Sequence, residues 1–202
     1  MSIYALKPRF QSLLRPMTAA LARAGVTANQ VTLAACVVLL AVAIFVAWRS
    51  DERWPFLLVP LWMFLRMAFN AIDGMLAREF GQKTRLGAYL NELTDVVSDS
   101  ALYLPFALIA PFSVWTVGAV VLLAAISEYA GVLGLMVGAS RRYDGPMGKS
   151  DRAFVFGALG LWIGVASPLP AWAAYVMPVV AVALVVTIVN RVRRGLAEGT
   201  LA

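Results

Sequence analysis

Six apolar segments fill most of this chain, and each is long enough to cross, or nearly cross, a lipid bilayer. A spanning helix needs about 20 consecutive apolar residues, and hydrophobic residues make up 61% of the sequence. The segments cover residues 31–48, 54–77, 86–110, 113–139, 152–167 and 169–190. We therefore expect an all-α, polytopic membrane protein with six transmembrane helices. Because no hydrophilic stretch is long enough to fold separately, residues 25–202 are predicted to form one transmembrane domain.

Positive charge is concentrated on one side of the predicted membrane. With six spans, both termini lie on the same side as the second and fourth connections. The cations on that side are Lys7, Arg9, Arg15, Arg23, Lys83, Arg85, Arg141, Arg142, Lys149, Arg191, Arg193 and Arg194. The connections around Pro111 and Pro168, on the opposite side, contain no cation. Since cytoplasmic loops are enriched in Lys and Arg, we expect both termini in the cytoplasm and the protein in the inner (cytoplasmic) membrane.

Residues 1–24 are predicted to form an amphipathic helix that lies in the membrane interface. Apolar side chains such as Leu13 and Leu21 can face the acyl chains, while Arg15 and Arg23 meet anionic headgroups. Charged residues and prolines interrupt the stretch, which excludes a cleavable signal peptide. The net charge of +6 suits contact with acidic membrane lipids. We see no basic and aromatic pattern that would indicate nucleic-acid binding.

Polar residues lie inside the second and third segments, where they are costly and usually functional. Asn70 and Asp73 are three residues apart, and Asn91, Asp95 and Asp99 are four apart. Each set therefore lines one face of its own helix. We predict that these two oxygen-rich faces meet near the cytoplasmic side.

Histidine is absent, and the single Cys36 lies inside an apolar run. Any metal or acid–base chemistry must therefore use carboxylates and amides. Such oxygen ligands favour Mg²⁺, Mn²⁺ or Ca²⁺ over zinc or copper, and phosphate chemistry is the usual reason for such a site. The predicted metal-binding residues are Asn70, Asp73, Asn91, Asp95 and Asp99, the last either as a ligand or as the partner of one.

Small residues and one arginine surround these polar positions. Gly74, Ala77 and Gly87 leave space for close approach of another backbone or a nucleotide. Arg78 supplies a planar group suited to a phosphate. This combination predicts a pocket for a nucleotide diphosphate.

The spacing resembles the signature of the CDP-alcohol phosphatidyltransferase family. That signature reads DGxxAR, eight residues, then GxxxDxxxD, with another Asp three residues before the DG. In this chain the pattern is filled, without insertion, by Asp73, Gly74, Ala77, Arg78, Gly87, Asn91 and Asp95. Asn29 and Thr32 also resemble the Pro-Asn-x-x-Thr stretch that opens the first span of many members.

The resemblance implies transfer of a phosphatidyl group from a CDP-activated donor, CDP-diacylglycerol first among them, to an alcohol, with release of CMP. It also implies an Mg²⁺ or Mn²⁺ cofactor, a role in phospholipid synthesis and a homodimer. By the same resemblance Asp95 is the catalytic base. The implied CDP-binding residues are Asn29, Asp73, Gly74, Ala77, Arg78 and Gly87.

Two positions depart from the family pattern, because Asn70 and Asn91 stand where aspartates are usual. An amide oxygen can ligate a metal but brings no charge, so weaker metal affinity, a single bound metal or loss of activity would follow. A member with altered activity is therefore one alternative. A transporter of small cations or metabolites is another, although we see no inverted repeats that would favour it.

A second polar cluster follows the fourth segment. Its cations Arg141, Arg142, Lys149 and Arg152 suit an acceptor that carries phosphate, such as glycerol phosphate or inositol phosphate. The alternative is that they only fix the topology. Glu128, inside the fourth segment, is either a functional acid or the structural partner of a cation such as Arg66.

Overall fold

The computed structural model describes residues 6–166 and 168–199. In that part of the chain all regular structure is helical, which confirms the predicted all-α class. The α-helices are α1 Leu6–Arg23, α2 Ala28–Trp48, α3 Leu58–Glu79, α4 Arg85–Tyr103, α5 Val114–Leu133, α6 Lys149–Val165 and α7 Val176–Glu198. Residues 1–5 of the predicted interfacial helix lie outside the described residues.

Within residues 6–166 and 168–199, four helical stretches are long and apolar enough to span a membrane. They are Ala28–Trp48, Trp54–Glu79, Val114–Val137 and Ala171–Glu198. The prediction of a polytopic membrane protein is thus confirmed in its coarse form. The third and fifth predicted spans correspond to α4 and α6, which are not long and apolar enough to be recognised as spans in this way. Helix α4 carries several charged groups, and α6 is 17 residues long with a charged first turn.

Contacts divide the chain into two compact units. The first comprises the residues up to Ala41 and Leu61–Ser98. Its apolar core contains Ala28, Val31, Ile72 and Leu76, and side chains of α1 such as Leu14 and Leu21 pack against it. Packing of α1 on α2 and α3 explains why residues 6–23 form a helix here. Its location in the membrane interface stays a prediction.

The start of α2 is fixed by side-chain hydrogen bonds. Thr27 and Gln30 form a reciprocal cap, in which each backbone N–H donates to the other side chain at 2.8 and 3.2 Å. Gln82 accepts from the Ala28 N–H at 2.7 Å and donates to the Val26 carbonyl at 3.3 Å. These bonds hold the loop before α2 against the loop before α4.

The second unit comprises Val42–Pro60 and the residues from Asp99 onward. Fully buried aromatic side chains form its centre: Phe106 packs edge-on against Phe56 and Phe156, with ring centroids 5.3 and 5.1 Å apart. Tyr103 stacks on Phe156 at 3.7 Å.

Candidate active site

A small cavity in the first unit is lined by side chains from α2, α3 and α4. Its polar lining residues are Thr32, Arg66, Asn70, Asn91, Thr94, Asp95 and Ser98. The structure therefore brings three of the predicted metal-site residues, Asn70, Asn91 and Asp95, to one place. Helical spacing explains this, because residues one turn apart project from the same face.

Asp73 is linked to the same cavity through Thr32. The Thr32 hydroxyl donates to Asp73 Oδ2 at 2.8 Å, and Asp73 is 9% exposed. Since Thr32 also lines the cavity, this hydrogen bond holds the Asp73 carboxylate beside it. The resemblance pointed to Thr32 only as part of a motif, and the structure gives it a specific partner.

Arg66 occupies the cavity as a buried cation that sequence reasoning did not place there. Its Nη2 donates to Asp95 Oδ1 at 2.9 Å and lies 3.4 Å from the Asp95 backbone oxygen. The two side chains are 8% and 16% exposed. The available signal was the spacing of Arg66 and Asn70, which are four apart on α3 and so share a face.

The donor set of this cavity fits one hard cation better than several. Asp73 and Asp95 are carboxylates, Asn70 and Asn91 are neutral amides, and Arg66 offsets one of the two negative charges. Among the described residues, no three Asp, Glu, His or Cys side chains are grouped to hold a metal ion. Oxygen ligands of this kind suit Mg²⁺ or Mn²⁺. Their low total charge argues against two divalent ions.

Asp99 is engaged elsewhere. Its Oδ2 accepts from Arg152 Nη2 at 3.2 Å, within the second unit. Both side chains are almost completely buried, at 6% and 1% exposure. We therefore leave Asp99 out of the set of metal ligands proposed below.

The predicted nucleotide-binding residues form two contacts. A Cβ added at Gly74 would meet Arg78 Nη2 at 2.8 Å, so the Arg78 side chain folds over Gly74. A Cβ added at Gly87 would meet Asn29 Oδ1 at 2.7 Å, which places Asn29 against α4. Ala77 instead packs against the apolar core of the first unit.

Three guanidinium groups surround one carboxylate in the second unit. Glu128 Oε1 accepts from Arg152 at 2.9 Å, and Arg191 Nη1 lies 3.5 Å from it. Glu128 Oε2 accepts from Arg141 at 3.3 Å. Glu128 is thus the ion-pair partner of these arginines. The partner suggested for it from the sequence, Arg66, pairs with Asp95 instead. Arg191, seen in the sequence only as a topological cation, is 1% exposed.

The other two cations of the predicted acceptor cluster are Arg142 and Lys149, which follow Arg141 in the chain. Arg142 forms ion pairs with Asp144, at 2.8 Å, and with Glu198. Burial raises the pKa of Asp144, but the hydrogen bond and charge of Arg142 and the charge of Arg194 outweigh it, so that the pKa lies below its ordinary value. Lys149 is the first residue of α6.

The fold and the motif define a class of membrane enzyme. The chain belongs to the CDP-alcohol phosphatidyltransferase family, whose model matches residues 25–189. The resemblance predicted from the motif is thereby confirmed.

Individual relatives agree with this assignment. Inner membrane protein YnbA of Escherichia coli K12 is 42% identical over 193 residues, which cover 96% of each chain. Phosphatidylinositol phosphate synthase of Streptomyces avermitilis is 33% identical over 99 residues, 49% of this chain and 39% of that protein.

Solved structures show the same fold. Mycobacterium tuberculosis phosphatidylinositol phosphate synthase with CDP-DAG bound superimposes with a TM-score of 0.75 and 24% identity, covering 93% of this chain and 97% of that one. The complex of that enzyme with manganese and citrate gives a TM-score of 0.74 and 23% identity, with 93% and 92% coverage.

Proposed function

We propose that this protein transfers a phosphatidyl group from CDP-diacylglycerol to an alcohol acceptor and releases CMP, as a step of phospholipid synthesis. The observation that carries the proposal is the cavity on which Asn70, Asn91 and Asp95 converge, with Asp73 held at its side by Thr32. Family membership supplies the reaction class. The solved relative with CDP-DAG bound supports this lipid as the donor to test first.

Asp73, Asn70 and Asn91 would hold one Mg²⁺ or Mn²⁺ ion. Such an ion would supply positive charge to the phosphate oxygens of a bound donor. Asp95 would take the proton of the acceptor hydroxyl as its oxygen bonds to the phosphorus that carries the lipid. The bond from that phosphorus to the CMP oxygen breaks, and CMP leaves with the electron pair. Arg66 keeps the Asp95 carboxylate in place through its hydrogen bond.

The nucleotide would bind next to the two glycine contacts. The exposed Arg78, folded over Gly74, would bind a phosphate, and the amide of Asn29 beside Gly87 would hydrogen bond the nucleotide. Ala77 would contribute only its small size, because it packs against the core.

Arg141, Arg142, Lys149 and Arg152 would bind the acceptor. The Nε atoms of Arg152 and Arg191 are buried and have no hydrogen-bond partner in the part of the chain that the structure describes. Buried donors without acceptors are costly, which supports an anionic group on the acceptor. Against this, Glu128 already engages Arg152 and Arg141, so a phosphate would share these cations with a carboxylate.

The membrane arrangement proposed with this function has six spans, of which α4 and α6 are the two less apolar ones. Both termini and the active site face the cytoplasm in the inner membrane. Residues 1–24 would lie in the interface, residues 25–202 would form the catalytic domain, and two chains would form a homodimer. Cysteine-accessibility labelling at both termini in sealed vesicles tests this topology.

Activity is tested by incubating the purified protein with CDP-diacylglycerol, Mg²⁺ or Mn²⁺, and alcohols with and without a phosphate group. We expect metal-dependent CMP release and one lipid product identified by mass spectrometry. A matched sample with a chelator should release no CMP. Metal binding without CMP release would favour a member with altered activity. Metal flux into sealed vesicles without turnover would instead favour transport.

A further inference from the structure

The ion pair of Arg66 and Asp95 lies one helical turn beyond the two asparagines. Arg66 is four residues before Asn70 on α3, and Asp95 is four residues after Asn91 on α4. Arg66 is 6% exposed, whereas Asn70 is exposed. The pair therefore forms the buried end of a cavity whose other end carries the amides.

The guanidinium brings a permanent positive charge to this end of the cavity. Arginine stays protonated in proteins, so its charge cannot be removed by burial. Two carboxylates, Asp73 and Asp95, and one guanidinium leave the site with one net negative charge. A pair of divalent ions a few ångströms apart requires more compensating charge than this.

The two amides and Arg66 act in the same direction, because both make the net charge of the cavity less negative. Replacing two aspartates by Asn70 and Asn91 removes two negative charges, and Arg66 beside Asp95 supplies a positive charge from the protein itself. A second divalent ion bound to Asp95 would share a carboxylate whose Oδ1 already accepts a hydrogen bond from Arg66 at 2.9 Å. The positive charge of the nearby guanidinium would also repel this second ion.

We propose that Arg66 takes the place of a second metal ion beside Asp95, so that the site binds one divalent ion, held by Asp73 and the two asparagines. This assignment rests on the proposed function, because it takes the cavity as the metal site. It gives Arg66 a positioning and charge-compensating role toward Asp95. A purely structural ion pair would leave the number of bound metal ions independent of Arg66.

The test is the number of Mn²⁺ ions bound per chain, measured by equilibrium dialysis or by the electron paramagnetic resonance signal of free Mn²⁺. We expect one ion for the wild type and for Arg66→Lys, which keeps the charge. The double variant Asn70→Asp/Asn91→Asp, with Arg66 retained, should also bind one. Adding Arg66→Met to that double variant should raise the number to two.

Two ions on the wild type or on the double variant would overturn the assignment, as would none on the wild type. One ion on the folded triple variant would also overturn it, because the number of bound ions would then be independent of Arg66. Where the triple variant does not fold, the wild type and the double variant still offer outcomes that refute the assignment. CMP release is measured on the same preparations. One bound ion without CMP release from any CDP donor would refute the proposed function and leave the assignment of Arg66 standing. CMP release with two bound ions would do the reverse.

Discussion

The Thr32 hydroxyl donates to Asp73 Oδ2 at 2.8 Å, and the same hydroxyl lies 3.1 Å from the Ala28 carbonyl one turn earlier. One proton cannot serve both acceptors fully. The carboxylate is the stronger acceptor because it is charged. Thr32 therefore acts mainly as a tether between α2 and the Asp73 side chain.

Thr32→Val should weaken metal binding, since it keeps the branched shape of the side chain and removes the donor. Loss of such a partner typically lowers metal affinity about 10- to 100-fold. Mn²⁺ titration of the purified protein measures the change. Thr32→Ser retains the hydroxyl and should stay close to the wild type. Equal affinities for the Val and Ser variants would show that the tether does not orient a ligand.

Asp95→Asn should lower both turnover and stability. Loss of a general base slows CMP release by about 100- to 10,000-fold. Loss of the carboxylate also breaks the buried ion pair with Arg66, which typically costs about 3–5 kcal/mol. Thermal unfolding in detergent separates this effect from the catalytic one.

The matched variant is Arg66→Met/Asp95→Asn, which removes both charges together. We expect it to recover most of the unfolding temperature lost in Asp95→Asn while remaining inactive. Recovery of turnover in this double variant would exclude Asp95 as the base.

Gly87→Ala should raise the KM for the CDP donor more than it lowers kcat. Its Cβ would lie 2.7 Å from Asn29 Oδ1 and 3.0 Å from Thr84 Oγ1, so Asn29 must move. The matched control is Gly118→Ala in α5, where the added Cβ meets nothing within 4 Å. Steady-state kinetics with varied donor concentration measure both. An unchanged KM for Gly87→Ala would remove Asn29 from the donor site.

Glu128→Gln should destabilise the second unit. The substitution removes the negative charge that three buried or half-buried guanidinium groups contact. Breaking a buried ion pair typically costs about 3–5 kcal/mol. Glu52→Gln is the matched control, because Glu52 pairs with Arg49 in an exposed connection. Thermal unfolding in detergent should respond to the first change and hardly to the second.

Asp144 should stabilise the protein in a pH-dependent way. The neighbouring arginines lower its folded-state pKa below the ordinary value of 3.8, despite the opposing effect of burial. The stabilisation is therefore complete at neutral pH and is lost as the pH falls below that value. The unfolding temperature of Asp144→Asn should lie below that of the wild type at pH 7 and approach it in acid. A difference that is constant with pH would contradict this origin.

Helical periodicity was sufficient to place Asn91 and Asp95 together. Residues four apart on a helix face the same way whatever surrounds the helix, and the structure puts both on the cavity. The same argument groups Asn70 with Asp95 only if α3 and α4 turn these faces toward each other. The motif resemblance supplied that second condition.

Partner choice could not be read from the sequence. The sequence suggested Arg66 as a partner of Glu128, and only the packing of the helices shows that it pairs with Asp95. Arg191 was missed for a different reason: arginines lower the local hydropathy, so the predicted last segment stopped at residue 190 while α7 continues to Glu198. Its buried side chain therefore looked like part of a solvated end.

The number of spans shows the same limit of hydropathy. Helix α4 contains the predicted metal-site residues Asn91, Asp95 and Asp99. The same residues help to make it too polar to be recognised as a membrane span by composition. A functional helix inside a bundle is shielded by its neighbours rather than by its own apolar side chains.

The bridge formed by Gln82 has a consequence for the chemical durability of the protein. The oxygen of its side-chain amide accepts from the Ala28 N–H and the nitrogen donates to the Val26 carbonyl, whereas an ionised carboxylate of the same length could only accept. Deamidation to glutamate would set an oxygen against the Val26 carbonyl oxygen. Ageing of this one side chain would thus loosen the turn that precedes Asn29, with no change in the rest of the covalent chain.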